Sequence, residues 1–139
     1  VPVFRGKLIP CDFLFLFLKL ELLTLKNDYD KAFAFAKNMV HLYKQLTGEQ
    51  GEFVLSKQLL RSGTSIGANL AEAIGAFTKA DFAYKVSISY KECLETKYWL
   101  SSLHKTDYIT ETLFSKYYSN ADEIGRILFT TLKTTKLKS

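Results

Sequence analysis

Glu72, Glu92 and Glu95 are the three residues of this chain best spaced to do chemistry together. On facing helices such a carboxylate cluster can hold a pair of metal ions, but those centres also draw on Glu-x-x-His repeats. No Glu here is followed three residues later by His. The two histidines, His41 and His104, fall on different predicted helices. Neither has a carboxylate–nucleophile set near it in sequence. Cys11 and Cys93 are the only cysteines, too few for a four-cysteine zinc site or a disulfide-dense scaffold. Gly63, Gly67 and Gly75 are not a phosphate loop, because no Gly-Lys-Ser/Thr ending and no preceding strand accompany them. The favoured reading of the polar residues is structural. Arg61, Asn69, Glu72, Ser89, Glu92 and Glu95 are expected to satisfy one another across two helices, since buried polar groups must be paired. Cys93 then reads as a small core residue. No catalytic residue, cofactor or metal is expected, and the chain reads as a non-enzyme.

The charge balance gives a milder signal. Sixteen lysines and three arginines face fourteen acids, for a net charge of +5. That leans toward an anionic partner such as RNA or DNA. Few arginines argue against base-specific readout, which relies on bidentate contacts. Lys79, Lys85, Lys91 and Lys97 recur every six residues, a spacing that spreads them round a helix instead of lining them up. The densest basic run is the end, Lys133, Lys136 and Lys138. Trp99, Tyr98, Tyr90 and Tyr84 have ring faces on which bases could stack. At helical spacing, core or subunit contact is the favoured reading of these rings.

The elements that must position these residues follow from periodicity. With 139 residues, 47% hydrophobic and only 2 Pro, the chain suits a single packed domain. From Lys26 onward the apolar period is helical. Asn27 or Asp28 is expected to cap a first helix. Its apolar rows are Phe33, Ala36, Val40 and Tyr43, and Phe35, Met39, Leu42 and Leu46. A second helix is expected over roughly Phe53 to Ala76, with Gly63, Gly67, Ala71 and Gly75 on one ridge that lets a neighbour approach closely. A third starts after Thr78, with the seam Phe82, Val86, Ser89, Cys93, Thr96, Leu100 and Leu103. A fourth runs from about Thr110 to Thr134, with the seam Phe114, Tyr118, Ala121, Gly125, Leu128 and Leu132. Short connections between four such helices predict an all-α, antiparallel up-and-down four-helix bundle over residues 26–139.

Residues 1–25 read differently, as an atypical apolar N-terminal extension. Phe13 to Leu18 alternate Phe and Leu, while Asp12, Lys19 and Glu21 interrupt the apolar run. The stretch is too short and too charged to predict a membrane span. Three readings stay open: upstream sequence translated from a misplaced start, which is preferred; a signal-like segment; or an added packing element. For residues 26–139 no membrane association is expected, and the localisation expected is cytoplasmic.

The stretch from Leu60 to Ala73, with Arg61, Ser65, Ile66, Asn69, Ala71 and Glu72, resembles the second-helix motif of the bacterial "four helix bundle protein" family. That family was first known from reading frames in intervening sequences of large-subunit ribosomal RNA genes. Ser89, Glu92, Glu95, Thr96 and Leu100 fit its third-helix pattern. Gly67 stands where many relatives have Pro. The resemblance spans about Lys26 to Leu132 and leaves residues 1–25 without a counterpart. It implies an up-and-down bundle that assembles into a homo-oligomeric ring, often a pentamer. A related accessory protein of diversity-generating retroelements binds a reverse transcriptase and nucleic acid.

The expected function is therefore a non-enzymatic oligomer that binds RNA or DNA through lysine-rich surface. Lys57, Arg61, Lys133, Lys136 and Lys138 are the candidate contacts, with sequestration of Arg61 by Glu72 as the competing expectation. The alternative is a protein-interaction scaffold that docks a partner such as a reverse transcriptase without touching nucleic acid.

Overall fold

The computed structural model describes residues 3–8 and 10–137. Four helices form an all-α bundle: α1 (Cys11–Gln50), α2 (Leu55–Ile74), α3 (Lys79–Lys105) and α4 (Glu111–Leu137). α1 packs on α2, α2 on α3 and α3 on α4, and α4 closes back on α1. Ahead of them lies a two-residue hairpin, β1 (Val3–Phe4) against β2 (Lys7–Leu8). Arg5 and Gly6 both have positive φ there, as the tightest hairpin turns require.

α1 does not begin at Asn27 or Asp28. It runs unbroken from Cys11, with Pro10 at its N-cap position. No Gly or Pro interrupts the sequence between Pro10 and Gly48. Asn and Asp cost only a few tenths of a kcal/mol inside a helix, so nothing stops α1 from extending back through the leucines. It continues through Gly48 and ends at Gly51, whose φ of 63° closes a left-handed cap with its N–H on the Leu46 carbonyl. Its core face is Ala32, Phe35, Met39, Leu42 and Leu46, all buried. Phe33 is 55% exposed, so only one of the two predicted rows faces the core directly. Ala36, Val40 and Tyr43 are half-buried at its margin.

α2 is an unbroken helix despite its glycines. Gly63 and Gly67 are buried and face α1: a Cβ on Gly63 would lie 2.6 Å from Met39 Cγ, and one on Gly67 would lie 3.6 Å from Ala32. The ridge serves this purpose over half its length only, because Ala71 and Gly75 are exposed. The start of α2 is held by Glu52, which the sequence did not advertise. Its carboxylate accepts the N–H groups of Val54, Leu55 and Ser56 at 3.0, 2.8 and 2.7 Å. Ser56 Oγ in turn donates to the Glu52 carbonyl at 2.6 Å.

The other two helices follow their predicted seams. Val86, Ser89, Cys93, Thr96, Leu100 and Leu103 are buried on α3, with Phe82 packed at the edge. Thr78 caps α3 by accepting the Asp81 N–H. On α4, Ala121, Gly125 and Leu128 are buried, while Phe114, Tyr118 and Leu132 are half-buried. The small middle of the α3 seam meets small residues on α4: a Cβ on Gly125 would sit 3.7 Å from Cys93 Sγ. The Cys93 thiol donates to the Ala121 carbonyl at 3.1 Å. Burial pushes this thiol up to about 12, so it is a packing group and not a thiolate.

Two stability predictions follow from α2. Gly67→Ala adds a methyl at ordinary contact distance and removes a helix-interior glycine, so it should stabilise by up to about 1 kcal/mol. Gly63→Ala forces the stem of Met39 aside and should destabilise, by about 1–3 kcal/mol. Urea unfolding of the two variants checks the opposite signs. Burial pushes the Glu52 carboxyl up, but the N–H bonds from Leu55, Ser56 and Val54 outweigh it and hold it below its ordinary value. A carboxylate lowered in the folded state stabilises fully above its unfolded pKa, about 4.3. That contribution is lost as pH falls through the lower folded value. Glu52→Gln should cost about 1–2 kcal/mol at neutral pH and flatten the loss of stability on acidification, read by denaturant titrations across pH.

Candidate nucleic-acid interface

The polar residues between α2 and α3 divide into a buried set and an exposed set. The buried set is made of hydroxyls. Ser89 Oγ donates to the Ile66 carbonyl at 2.7 Å, and Thr96 Oγ1 lies 3.0 Å from Ser62 Oγ and 2.8 Å from the Glu92 carbonyl. Ser62, Ser89 and Thr96 are fully buried. Among the described residues no buried side-chain N or O lacks a partner.

The exposed set centres on Arg61. Its guanidinium reaches Glu92 at 3.4 Å and also holds Glu95. Glu95 accepts the Trp99 indole N–H at 3.0 Å, and Trp99 stands edge-on to Tyr98 with ring centroids 4.9 Å apart. The hydrogen bond from Arg61, then that from Trp99, keeps the Glu95 carboxyl below the ordinary glutamate range. Glu72 is not part of this group: it pairs with Lys85 at 2.6 Å. Asn69 turns back along its own helix and donates to the Ser65 carbonyl at 2.8 Å. Of the six network residues, the structure thus brings Arg61, Glu92 and Glu95 together directly. Ser89, Glu72 and Asn69 each have separate partners.

The candidate cations fare unequally. Lys57 is exposed one helical turn before Arg61. Arg61 is half-exposed, with its guanidinium already shared by two carboxylates. Lys133 is exposed on α4 with Nζ 5.2 Å from the Phe129 ring centroid. Lys138 lies outside the described residues, and so does the side chain of Lys136. Two further charge groups were not singled out from the sequence. Lys97 and Arg126 both hold Asp122, at 2.6 and 3.2 Å, and Lys31 holds Glu123 at 2.6 Å. Lys97–Asp122 and Lys31–Glu123 join different helices, so spacing along one helix could not reveal them, whereas Asp122–Arg126 is an i,i+4 pair on α4 that spacing does offer.

Among the described residues, no group of three or more His, Cys, Asp or Glu is placed to hold a metal ion. None of their helices is long and apolar enough to cross a membrane. An open cleft of about 450 Å³ lies between α1, α3 and α4, with Leu20, Thr24, Phe82, Thr131 and Thr135 among its walls. Glu21, Asp28 and Lys79 also line it, and burial raises the Asp28 carboxyl above its ordinary value against the opposing charge of Lys31.

Trp99 is the only tryptophan, so its emission reports on Glu95. As pH falls, the emission should change with a midpoint below the ordinary glutamate value, about 4.3. In Arg61→Ala the midpoint should move up toward that value, because the lowering charge and hydrogen bond are gone. A midpoint that stays in place would show that Arg61 does not control this carboxylate.

Residues 27–130 match the family model described as 23S rRNA-intervening sequence protein. No curated protein gives a significant match. Among solved structures, the chain is similar to a protein of unknown function from the S23 ribosomal protein family of Bacteroides thetaiotaomicron VPI-5482, whose crystal structure was determined at 1.70 Å. The two are 47% identical, the match covers 78% of this chain and 97% of that one, and the TM-score is 0.77. With the family model matched over most of its length, this chain belongs to the 23S rRNA-intervening sequence protein family.

Proposed function

We propose that the chain is a non-enzymatic, cytoplasmic homo-oligomer, a ring such as a pentamer, that binds RNA or DNA through lysine-rich surface. The observation that carries this reading is the fate of the surplus charge. Lys57 on α2, Lys91 and Lys105 on α3 and Lys116 and Lys133 on α4 are exposed, and no ion pair to an acid engages them among the described residues. Such ammonium groups release counterions when they neutralise phosphates. Arg61 contributes less than the sequence suggested, since its charge is balanced in place by Glu92 and Glu95. Phe33 on α1 and Phe129 on α4, 55% and 45% exposed, are apolar surface that further copies of the chain would cover.

A second reading, a scaffold that docks a protein such as a reverse transcriptase, is favoured by one feature. Phe77 in the α2–α3 turn is fully exposed, and Ile74 beside it is 43% exposed. Exposed aromatic anchors of this kind suit protein contacts.

Fluorescence anisotropy with labelled RNA and DNA at rising salt tests the first reading. The logarithm of the association constant should fall linearly with the logarithm of salt concentration, by about 0.7–0.9 per phosphate neutralised. Absence of binding at low salt, or binding indifferent to salt, overturns it. A protein partner that stays bound through nuclease treatment and high salt supports the scaffold instead. Mass measurement in solution decides the ring.

A further inference from the structure

The outer face of α3 carries a pattern that neither the basic tail nor the Arg61 group explains. Tyr84, Lys91, Tyr98 and Lys105 recur every seven residues. Seven helical steps return to within about 20° of the same line, with a rise of about 10.5 Å. The four residues therefore form one stripe, opposite the buried seam of Val86, Cys93 and Leu100. Tyr84 and Tyr98 are each 62% exposed, and Lys91 and Lys105 are exposed without an ion-pair partner among the described residues. The interval of six that scatters Lys79, Lys85, Lys91 and Lys97 round the helix hides this line of alternating rings and cations.

We propose that the Tyr84–Lys91–Tyr98–Lys105 stripe is a binding track for single-stranded nucleic acid, in which bases stack on the two tyrosines and phosphates pair with the lysines between them. This rests on the nucleic-acid reading above and assigns it a place and a ligand class. Three observations support it. First, the rings present most of their surface to water: Tyr98 meets Trp99 edge-on, and Tyr84 has the Lys85 Nζ 5.9 Å from its centroid. A strand with unpaired bases can lay a face on them, whereas a duplex has its base faces covered by their neighbours. Second, lysine is depleted from the cores of protein–protein interfaces. Burying Lys91 between two rings against another protein would strand an ammonium group, while a phosphate backbone supplies its partner. Third, Tyr98 is pre-positioned. Arg61 on α2 holds Glu95, Glu95 holds the Trp99 indole, and Trp99 braces Tyr98 edge-on. The carboxylate between Lys91 and Tyr98 is thereby neutralised, and that ring is set before a base arrives; Asp81, one turn before Tyr84, is a second carboxylate beside the stripe. Arg61 is in this scheme a positioning residue and not a phosphate contact.

The test uses the full chain and fluorescein-labelled single strands of roughly 20 nucleotides, as RNA and as DNA, beside the matching duplexes. Tyr84→Ala and Tyr98→Ala should each weaken single-strand binding by about tenfold or more and leave the weaker duplex binding nearly unchanged. Tyr98→Phe, which keeps the ring, should retain binding. Lys91→Gln should reduce the salt slope on single strands by about 0.7. All three positions are on the surface, and circular dichroism melting confirms that each variant is folded. If the wild type binds and these variants bind equally well, the track is overturned and nucleic acid sits elsewhere on the bundle. If the wild type binds no nucleic acid, the functional reading falls with it. If Tyr84→Ala and Tyr98→Ala, combined in one chain, change oligomer mass without changing affinity for RNA or DNA, the stripe is a contact between copies, and the proposal is wrong.

Discussion

How closely α2 can lie against its two neighbours governs the rest of this bundle. On one side Gly63 and Gly67 present bare backbone to Met39 and Ala32 of α1. On the other, Ser62 faces Thr96, and the Ile66 carbonyl faces Ser89. Small groups let helix axes approach, but hydroxyls taken from water must find partners, and an unmade hydrogen bond costs more than a made one returns. Each of these hydroxyls bonds either to a hydroxyl across the interface or to a backbone carbonyl. The arrangement favours one register, since sliding α3 by a turn would take Ser89 from the Ile66 carbonyl and part Thr96 from Ser62, leaving Thr96 only its bond to the Glu92 carbonyl of its own helix. The same device recurs between α3 and α4, where Cys93 meets Ala121 and Gly125.

That close approach also sets the surface. With α2 and α3 in contact along small residues, the long side chains on their flanks are brought near enough to pair. Arg61 reaches Glu92 and Glu95, and Glu72 reaches Lys85. Pairs this exposed add little stability. Their larger effect is to decide which charges remain for a partner: Glu72, Glu92 and Glu95 are consumed internally, and lysines facing outward are left over.

The sequence made the helices legible because their seams are long and regular. On α3, the seven seam residues from Phe82 to Leu103 are buried or packed at the edge of the core. The extent of α1 was hidden by a local signal, Asn27 and Asp28, that resembles a cap but sits inside a run of strong helix formers. Glu52 was missed because glutamate is not a usual capping residue and its contacts depend on a turn conformation. The polar group was legible in part. Glu92 and Glu95 could be placed near Arg61, since they lie on one row of α3. The partners of Glu72 and Asn69 depended on the rotation of α2 about its own axis, which periodicity leaves free by tens of degrees. The Lys31–Glu123 ion pair between α1 and α4 was out of reach, because these helices are adjacent in space but farthest apart in the chain.

α1 is twice as long as α2, 40 residues against 20, or about 60 Å against 30 Å. The surplus runs past the end of α2 as an arm whose Leu16, Leu20, Leu22 and Leu23 are each more than half exposed. The molecule's frictional drag is therefore offset from its mass. A single copy free in solution would tumble as a prolate body, slowly about the axes across α1 and faster about the one along it, so amide relaxation in a helix would depend on that helix's tilt from α1, a dependence that assembly into a ring would remove.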